Sequence, residues 1–419
     1  MTFWIVLTFL CFFLTQHLVE GGLLVLNLRY GAHKGAEVPE ALTGRVTPVT
    51  AARSLAYTQA RGRLAFAQGL YGGVLTLAVL FSGALPALDA LLTGWGLEGG
   101  HRFTAFLAIL AAGLSLAHLP FSLVSTFGIE ARFGFNRVTP ALWLLDRVKG
   151  LLLAAVLGLP LLYAAHGFMA FTGPQWWLWL FGFLTAFQVL LAWLFPTVIA
   201  PLFNRYTPLP QGELKTRLEA LAARASFRTR GLYVMDASRR SGHSNAYFTG
   251  FFRPRIVLFD TLVNQTPVEE ALAVLAHEIG HFRMRHIHKR MAAGLASTLV
   301  MLWVLSLLID WTPLYQAFGF GAPSFHAALA LASLVGGSFT FFLDPLQAWL
   351  SRRHEYQADA YAAALTGQPM HLGQALVRLG DENLSNLHPH PWFSAWYYSH
   401  PTLVERLGRL GVKPVLAAE

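Results

Sequence analysis

Residues 176–200 read WWLWLFGFLTAFQVLLAWLFPTVIA, a run of 25 residues without a charge. A membrane-spanning helix needs about 20 mostly apolar residues. Trp176, Trp177 and Trp179 open the run as an aromatic belt at a membrane interface. Six further runs qualify, at residues 3–26, 64–92, 103–125, 151–171, 292–308 and 325–348. A single run of this kind could be a buried core helix. Seven in 419 residues predict a polytopic membrane protein. The composition agrees: charged residues make up 13%, against about 25% in soluble proteins. Hydrophobic residues are 55% and mean hydropathy is +0.47, which excludes a disordered chain and an ordinary soluble globule. Cys11 is the sole cysteine, so no intramolecular disulfide forms and a Cys-based metal site is not expected.

The first run lacks a basic flank and is long for a signal peptide, so it reads as a retained span. His17 and Glu20 within it are costly in lipid and should face the bundle interior or water. The net charge of +9 then acquires a direction. Thirty of the 31 Lys and Arg residues lie in alternate connections and the tail; Arg102 alone lies on the other side. The positive-inside rule places the N-terminus outside and the C-terminus in the cytoplasm. The basic excess therefore implies a lipid bilayer as partner, with anionic headgroups, and not nucleic acid. The soluble parts, residues 201–291 and 349–419, share the cytoplasmic side. Each is too small to bury much core alone, so they are expected to pack on each other and on the bundle. The expected organisation is a membrane region at 1–200, a first soluble domain at 201–291, two spans within 292–348 and a second soluble part at 349–419.

The chemistry is concentrated in His277-Glu278-Ile279-Gly280-His281, an H-E-x-x-H. On a helix, positions i and i+4 share a face, so both imidazoles reach one ion. Zinc accepts imidazole nitrogen, and Glu278 stands where it can take a proton from a water. Thr266, Pro267 and Glu269 predict the start of this helix as a capping box. Val268, Leu272, Leu275, Ile279 and Phe282 supply its apolar periodicity. Two histidines leave zinc short of its usual three protein ligands. Glu355 and Asp359 lie one helical turn apart downstream. Spacing alone leaves open which of them binds metal and which orients a ligand imidazole, or whether both are solvated. Leu232–Met235 and Arg255–Phe259 read as strands, with Ser244-Asn245-Ala246-Tyr247-Phe248 between them. An edge strand beside the motif helix would let a peptide pair with it.

Together these residues resemble the type I CAAX prenyl endopeptidases, integral-membrane zinc proteases. The resemblance spans almost the whole chain. It rests on His277–His281, on Glu355-Tyr356-Gln357-Ala358-Asp359, on residues 244–248, and on Ser399-His400-Pro401-Thr402-Leu403-Val404-Glu405-Arg406-Leu407. Phe133-Gly134-Phe135-Asn136 and Pro201-Leu202-Phe203-Asn204 also look like family signatures, without an evident catalytic role. The resemblance implies a mainly α fold: seven membrane helices around a water-filled chamber, capped by a small α+β protease domain. It implies one Zn2+ per chain on His277, His281 and Glu355, with Asp359 behind them. It implies Glu278 as general base, His400 and Arg406 near the developing oxyanion, and Asn245 and Ala246 on the substrate. The substrate is then a peptide or protein, prenylated near its C-terminus. A quality-control protease with non-prenylated substrates is the alternative; the shorter heat-shock membrane proteases share H-E-x-x-H but have about four spans. A transporter with a structural zinc site is a third reading, drawn from His17, Glu20, His118 and Asp344. His354 departs from the family pattern and is expected to face the surface. His286 and His288 are expected to belong to a basic membrane-proximal face.

Overall fold

The computed structural model describes residues 1–249 and 255–414. Arg253, one of the basic residues counted above, lies outside them. Among the described residues seven helices are long and apolar enough to span a membrane: Thr2–Lys34, Pro48–Phe81, Gly99–Ala117, Pro140–Phe171, Gly173–Phe203, His286–Leu308 and Phe325–Thr366. Their outward faces expose Leu151, Val156, Trp193 and Val300, as side chains destined for lipid do. Phe9, Phe103, Phe106, Tyr315 and Leu331 knit the spans together in one buried cluster. Below that cluster the spans part around a cavity of about 830 Å³. Leu24, Leu28, Arg61, His118, Arg147 and Tyr398 are among its lining residues, so its wall is part apolar and part basic.

Two apolar runs divide differently from expectation. Residues 64–92 are not one span. The second span ends at Phe81, and a short helix, Ala84–Gly94, follows a break at Ser82-Gly83. Gly83 takes φ +80, a conformation that suits glycine and stops a helix. Residues 103–125 likewise break after Ala117, where Pro120 opens a short helix, Leu119–Leu123. His17 packs against Gly73 of the second span, so it does face a neighbouring helix.

The soluble parts form one body, as their sizes required. Leu218, Ile256, Leu258, Leu275, Ile279, Ala362 and Leu372 share a single core. A four-stranded sheet covers it, in the order β1 (Tyr206–Pro208), β2 (Leu232–Met235), β4 (Arg255–Phe259), β3 (Ala246–Thr249). β2 and β4 are parallel and the outer pairs antiparallel. Among the described residues β3 pairs only with β4 and is an edge strand.

The H-E-x-x-H segment lies on the helix Val268–Arg283. Its start differs from the expected capping box. Thr266 is taken up by the preceding helix Asp260–Gln265, donating its N–H to Leu262 O at 3.0 Å, and its hydroxyl has no partner. Glu269 instead receives a bidentate Arg217, with N–O distances of 2.7 and 2.5 Å. A neighbouring helix thus outcompetes the local cap. Glu270, 5% exposed, is paired with Arg378 at 2.8 and 3.1 Å.

The seventh span continues beyond the apolar run to Thr366 and crosses the motif helix at Gly280. A Cβ there would sit 3.0 Å from Ala358 Cα and 3.1 Å from Ala358 O. Both are backbone atoms and cannot step aside as a side-chain tip would. We predict that Gly280→Val costs about 1–3 kcal/mol of stability, the usual range for overpacking. Gly294→Ala, inside a helix where an added Cβ meets no neighbouring element within 4 Å, should not lower melting. Thermal melting of the purified variants checks both; wild-type melting of Gly280→Val would remove the crossing as a constraint.

Candidate metal centre and its surroundings

The crossing at Gly280 sets three side chains face to face. His277 Nε2 and His281 Nε2 lie 3.2 Å apart. Glu355 reaches in from the seventh span, with Oε2 at 3.4 Å from His277 Nε2 and Oε1 at 3.2 Å from His281 Nε2. All three residues are buried, at 8%, 6% and 2% exposure. Their donor atoms fall within 4.8 Å of one another. Tetrahedral bonds of about 2.0–2.1 Å set donors about 3.3 Å apart, which matches these separations. Among the described residues Glu355 Oε2 is buried without a hydrogen-bond partner. A buried carboxylate oxygen left unpaired is costly, and a cation answers that cost. The residues therefore fit a metal ion.

The electrostatics point the same way. Burial pulls the His277 pKa down, but the Asp359 and Glu355 carboxylates outweigh it and push it up to about 9. The site therefore favours positive charge at the face of His277. Burial pushes the Glu278 carboxyl above its usual range, against the pull of His277 and His281. A carboxylate raised in this way takes up a proton more readily than one in water.

Behind His277 stands Asp359, whose Oδ1 lies 2.8 Å from His277 Nδ1. Arg406 forks onto Asp359 through Nε at 2.9 Å and Nη2 at 2.5 Å. Its guanidinium, 9% exposed, lies beside His277 Nδ1, the nitrogen turned away from Glu355. The sequence sets Arg406 near the oxyanion; its contact here is this grip on Asp359. The placement follows from local structure. Thr402 and Glu405 form a complete capping box that starts the helix Leu403–Leu410, and one residue later Arg406 points inward. His400 lies on the open side, 63% exposed, with Nε2 at 3.5 Å from Glu355 Oε1.

Ala246 begins the edge strand and Asn245 immediately precedes it; the strand contacts the motif helix. Asn245 O accepts from Phe259 N–H at 3.0 Å. Strand alternation then turns the Ala246 N–H to the open edge, where Asn245 Oδ1 covers it at 2.8 Å.

Two expectations for histidines are corrected. His286 is fully buried rather than part of a basic face: its Nδ1 lies 2.9 Å from His281 Nδ1. His354, expected at the surface, is half-buried; its ring stacks on His286 at 4.1 Å between centroids and 15° between planes. Sequence reasoning also passed over Gln357, whose Oε1 lies 2.9 Å from His286 Nε2. No periodicity spans the break between the motif helix and the sixth span, so nothing local marked His286.

The two signatures without an evident role anchor the loop that leads into β3. Phe135 stacks on His243 at 4.0 Å, and Phe135 O accepts from Gly242 N–H at 3.0 Å. Asn204 accepts from Arg240, which also forks onto Asp146 of the fourth span at 2.9 and 3.0 Å. The loop is thus tied to the membrane bundle.

Comparison with known proteins bears directly on this arrangement. Residues 27–205 match the family model described as CAAX prenyl protease N-terminal, five membrane helices, and residues 208–412 match peptidase family M48. A CAAX prenyl protease 1 homolog from Oryza sativa subsp. japonica is 37% identical over 96% of both chains. CAAX prenyl protease 1 of Saccharomyces cerevisiae is 41% identical over 73% of this chain and 71% of its own. The crystal structure of S. mikatae Ste24p superposes with a TM-score of 0.89, at 32% identity, over 96% of this chain and 98% of that one. With seven spans, a capping sheet domain and a buried His-His-Glu group in common service of one site, the chain belongs to the CAAX prenyl protease 1 family of M48 membrane metallopeptidases.

Proposed function

We propose that this chain is a zinc endopeptidase that cuts near the C-terminus of prenylated proteins at the cytoplasmic face of its membrane. The buried group of His277, His281 and Glu355, with donors spaced for a tetrahedral ion, carries the reading. In this proposal these three residues hold one zinc per chain. Zinc so held acts as a Lewis acid toward the scissile carbonyl and lowers the pKa of water toward about 7. Glu278, its basicity raised by burial, takes the proton of the attacking water and passes it to the leaving amine. His400 stands open at the rim and supplies a hydrogen bond to the oxyanion. Arg406 and Asp359 hold the His277 ring in its ligating orientation. The edge strand aligns the peptide once Asn245 Oδ1 releases the Ala246 N–H.

The substrate class is supported by the names of the relatives, which are CAAX prenyl proteases. The large cavity between the spans, part apolar and part basic, offers room for a lipid-bearing tail. The cytoplasmic placement is supported by the basic residues, gathered on the side of the metal centre.

Four outcomes test this proposal. Glu278→Gln should keep its zinc and lose about 10²–10⁴-fold in turnover, the range of general-base catalysis; full activity with zinc bound overturns the assignment. Glu355→Ala should lose most of its zinc by elemental analysis, and wild-type content would move the third ligand elsewhere. A prenylated C-terminal peptide, its unprenylated twin and an unfolded membrane protein should be cut in that order of preference. Equal cleavage of the unfolded membrane protein would instead point to quality control. For orientation, Glu98→Cys in a Cys11→Ser background should label from outside intact cells, and Arg132→Cys only after permeabilisation.

A further inference from the structure

The two imidazoles of the metal centre are held from behind by different means. His277 Nδ1 meets a carboxylate, Asp359, itself gripped by Arg406. His281 Nδ1 meets the ring nitrogen of a third, fully buried histidine, His286, at 2.9 Å. His286 Nε2 in turn meets Gln357 Oε1 at 2.9 Å. Nothing in the proposed reaction uses His286 or Gln357.

The chain of contacts carries a direction. A carboxamide oxygen only accepts, so His286 Nε2 carries the hydrogen. A neutral imidazole then keeps a lone pair on Nδ1, which accepts from His281 Nδ1–H. His281 Nε2 is left with a lone pair, and that atom faces His277 Nε2 at 3.2 Å and Glu355 Oε1 at 3.2 Å. The opposite direction would put a hydrogen on His281 Nε2, between the metal donors. Only one sense of the chain is compatible with ligation. His354 holds the His286 ring plane by stacking on it at 4.1 Å. His286 opens the sixth span and Gln357 lies on the extended seventh, so two membrane helices meet through this contact.

We propose that Gln357 and His286 form a neutral relay that sets the tautomer and orientation of His281, as positioning residues for the metal. The relay rests on the reading of His281 as a ligand. Its use of neutral groups is physically distinct from the carboxylate behind His277. The centre thereby gains a second oriented imidazole without a second buried anion, whose desolvation would be costly.

The test uses the purified full chain, with zinc affinity measured by competition against a chromophoric chelator and the visible spectrum of the Co2+-substituted protein. His286→Phe keeps a ring against His354 but removes the acceptor. It should weaken zinc about 10- to 100-fold and shift the Co2+ bands. His286→Asn restores an acceptor near the Nδ1 position and should recover most of both. Gln357→Leu should weaken zinc and Gln357→Glu should not. Wild-type affinity in His286→Phe, or equal loss in His286→Phe and His286→Asn, overturns the relay; the second result would make His286 a packing residue. If neither His286 variant folds, the Gln357 pair decides, and equal affinities there overturn it. His281→Ala separates the two ideas: loss of zinc upholds the ligand on which the relay rests, whereas full zinc retention overturns ligand and relay together.

Discussion

The metal centre depends on how closely two helices approach. One carries His277 and His281; the other is the last membrane span, prolonged beyond the bilayer run to carry Glu355 and Asp359. They meet at Gly280, where even a methyl group would press on the backbone at Ala358. A wider crossing would draw Glu355 away from the imidazoles and leave three donors that no single ion could satisfy. The glycine inside the H-E-x-x-H therefore has a mechanical reason to be there. It removes the side chain that would otherwise prop the helices apart.

Because the seventh span runs on through a single tight turn, Phe341–Leu343, into the helix that carries Glu355, the position of one metal-facing carboxylate is tied to the membrane bundle. Other ties reinforce it. Arg240 joins the loop before the edge strand to Asp146 on the fourth span. His286, the first residue of the sixth span, touches His281 directly. The cap is thus gripped by the bundle from several spans. The edge strand and the metal centre are thereby held in one frame.

Much of this was legible in the chain itself. The seven apolar runs, the two longer strands and the H-E-x-x-H helix all rest on local patterns of period 2 or 3.6, or on length against bilayer thickness. What failed were local signals that a neighbour overrode. Thr266 and Glu269 have the residue types of a capping box, yet the preceding helix takes Thr266 and Arg217 takes Glu269. The box that does form, Thr402 with Glu405, lies inside a stretch that read as a family signature. The same residues served two readings, and only packing decided between them.

The sequence by itself determined that the chain spans a membrane seven times, where its basic residues gather, and that two histidines share a helical face. Each follows from composition or from spacing within one element. The tertiary structure decided which carboxylate faces the imidazoles and which stands behind them, that Arg406 grips Asp359, and that His286 and Gln357 back His281. Those pairings join residues on different helices, and for Glu355 and Asp359 they lie more than seventy positions from the motif. Spacing along a chain constrains the direction of a side chain only within its own element. Which of two neighbouring side chains reaches a site is set by the angle and closeness of a helix crossing.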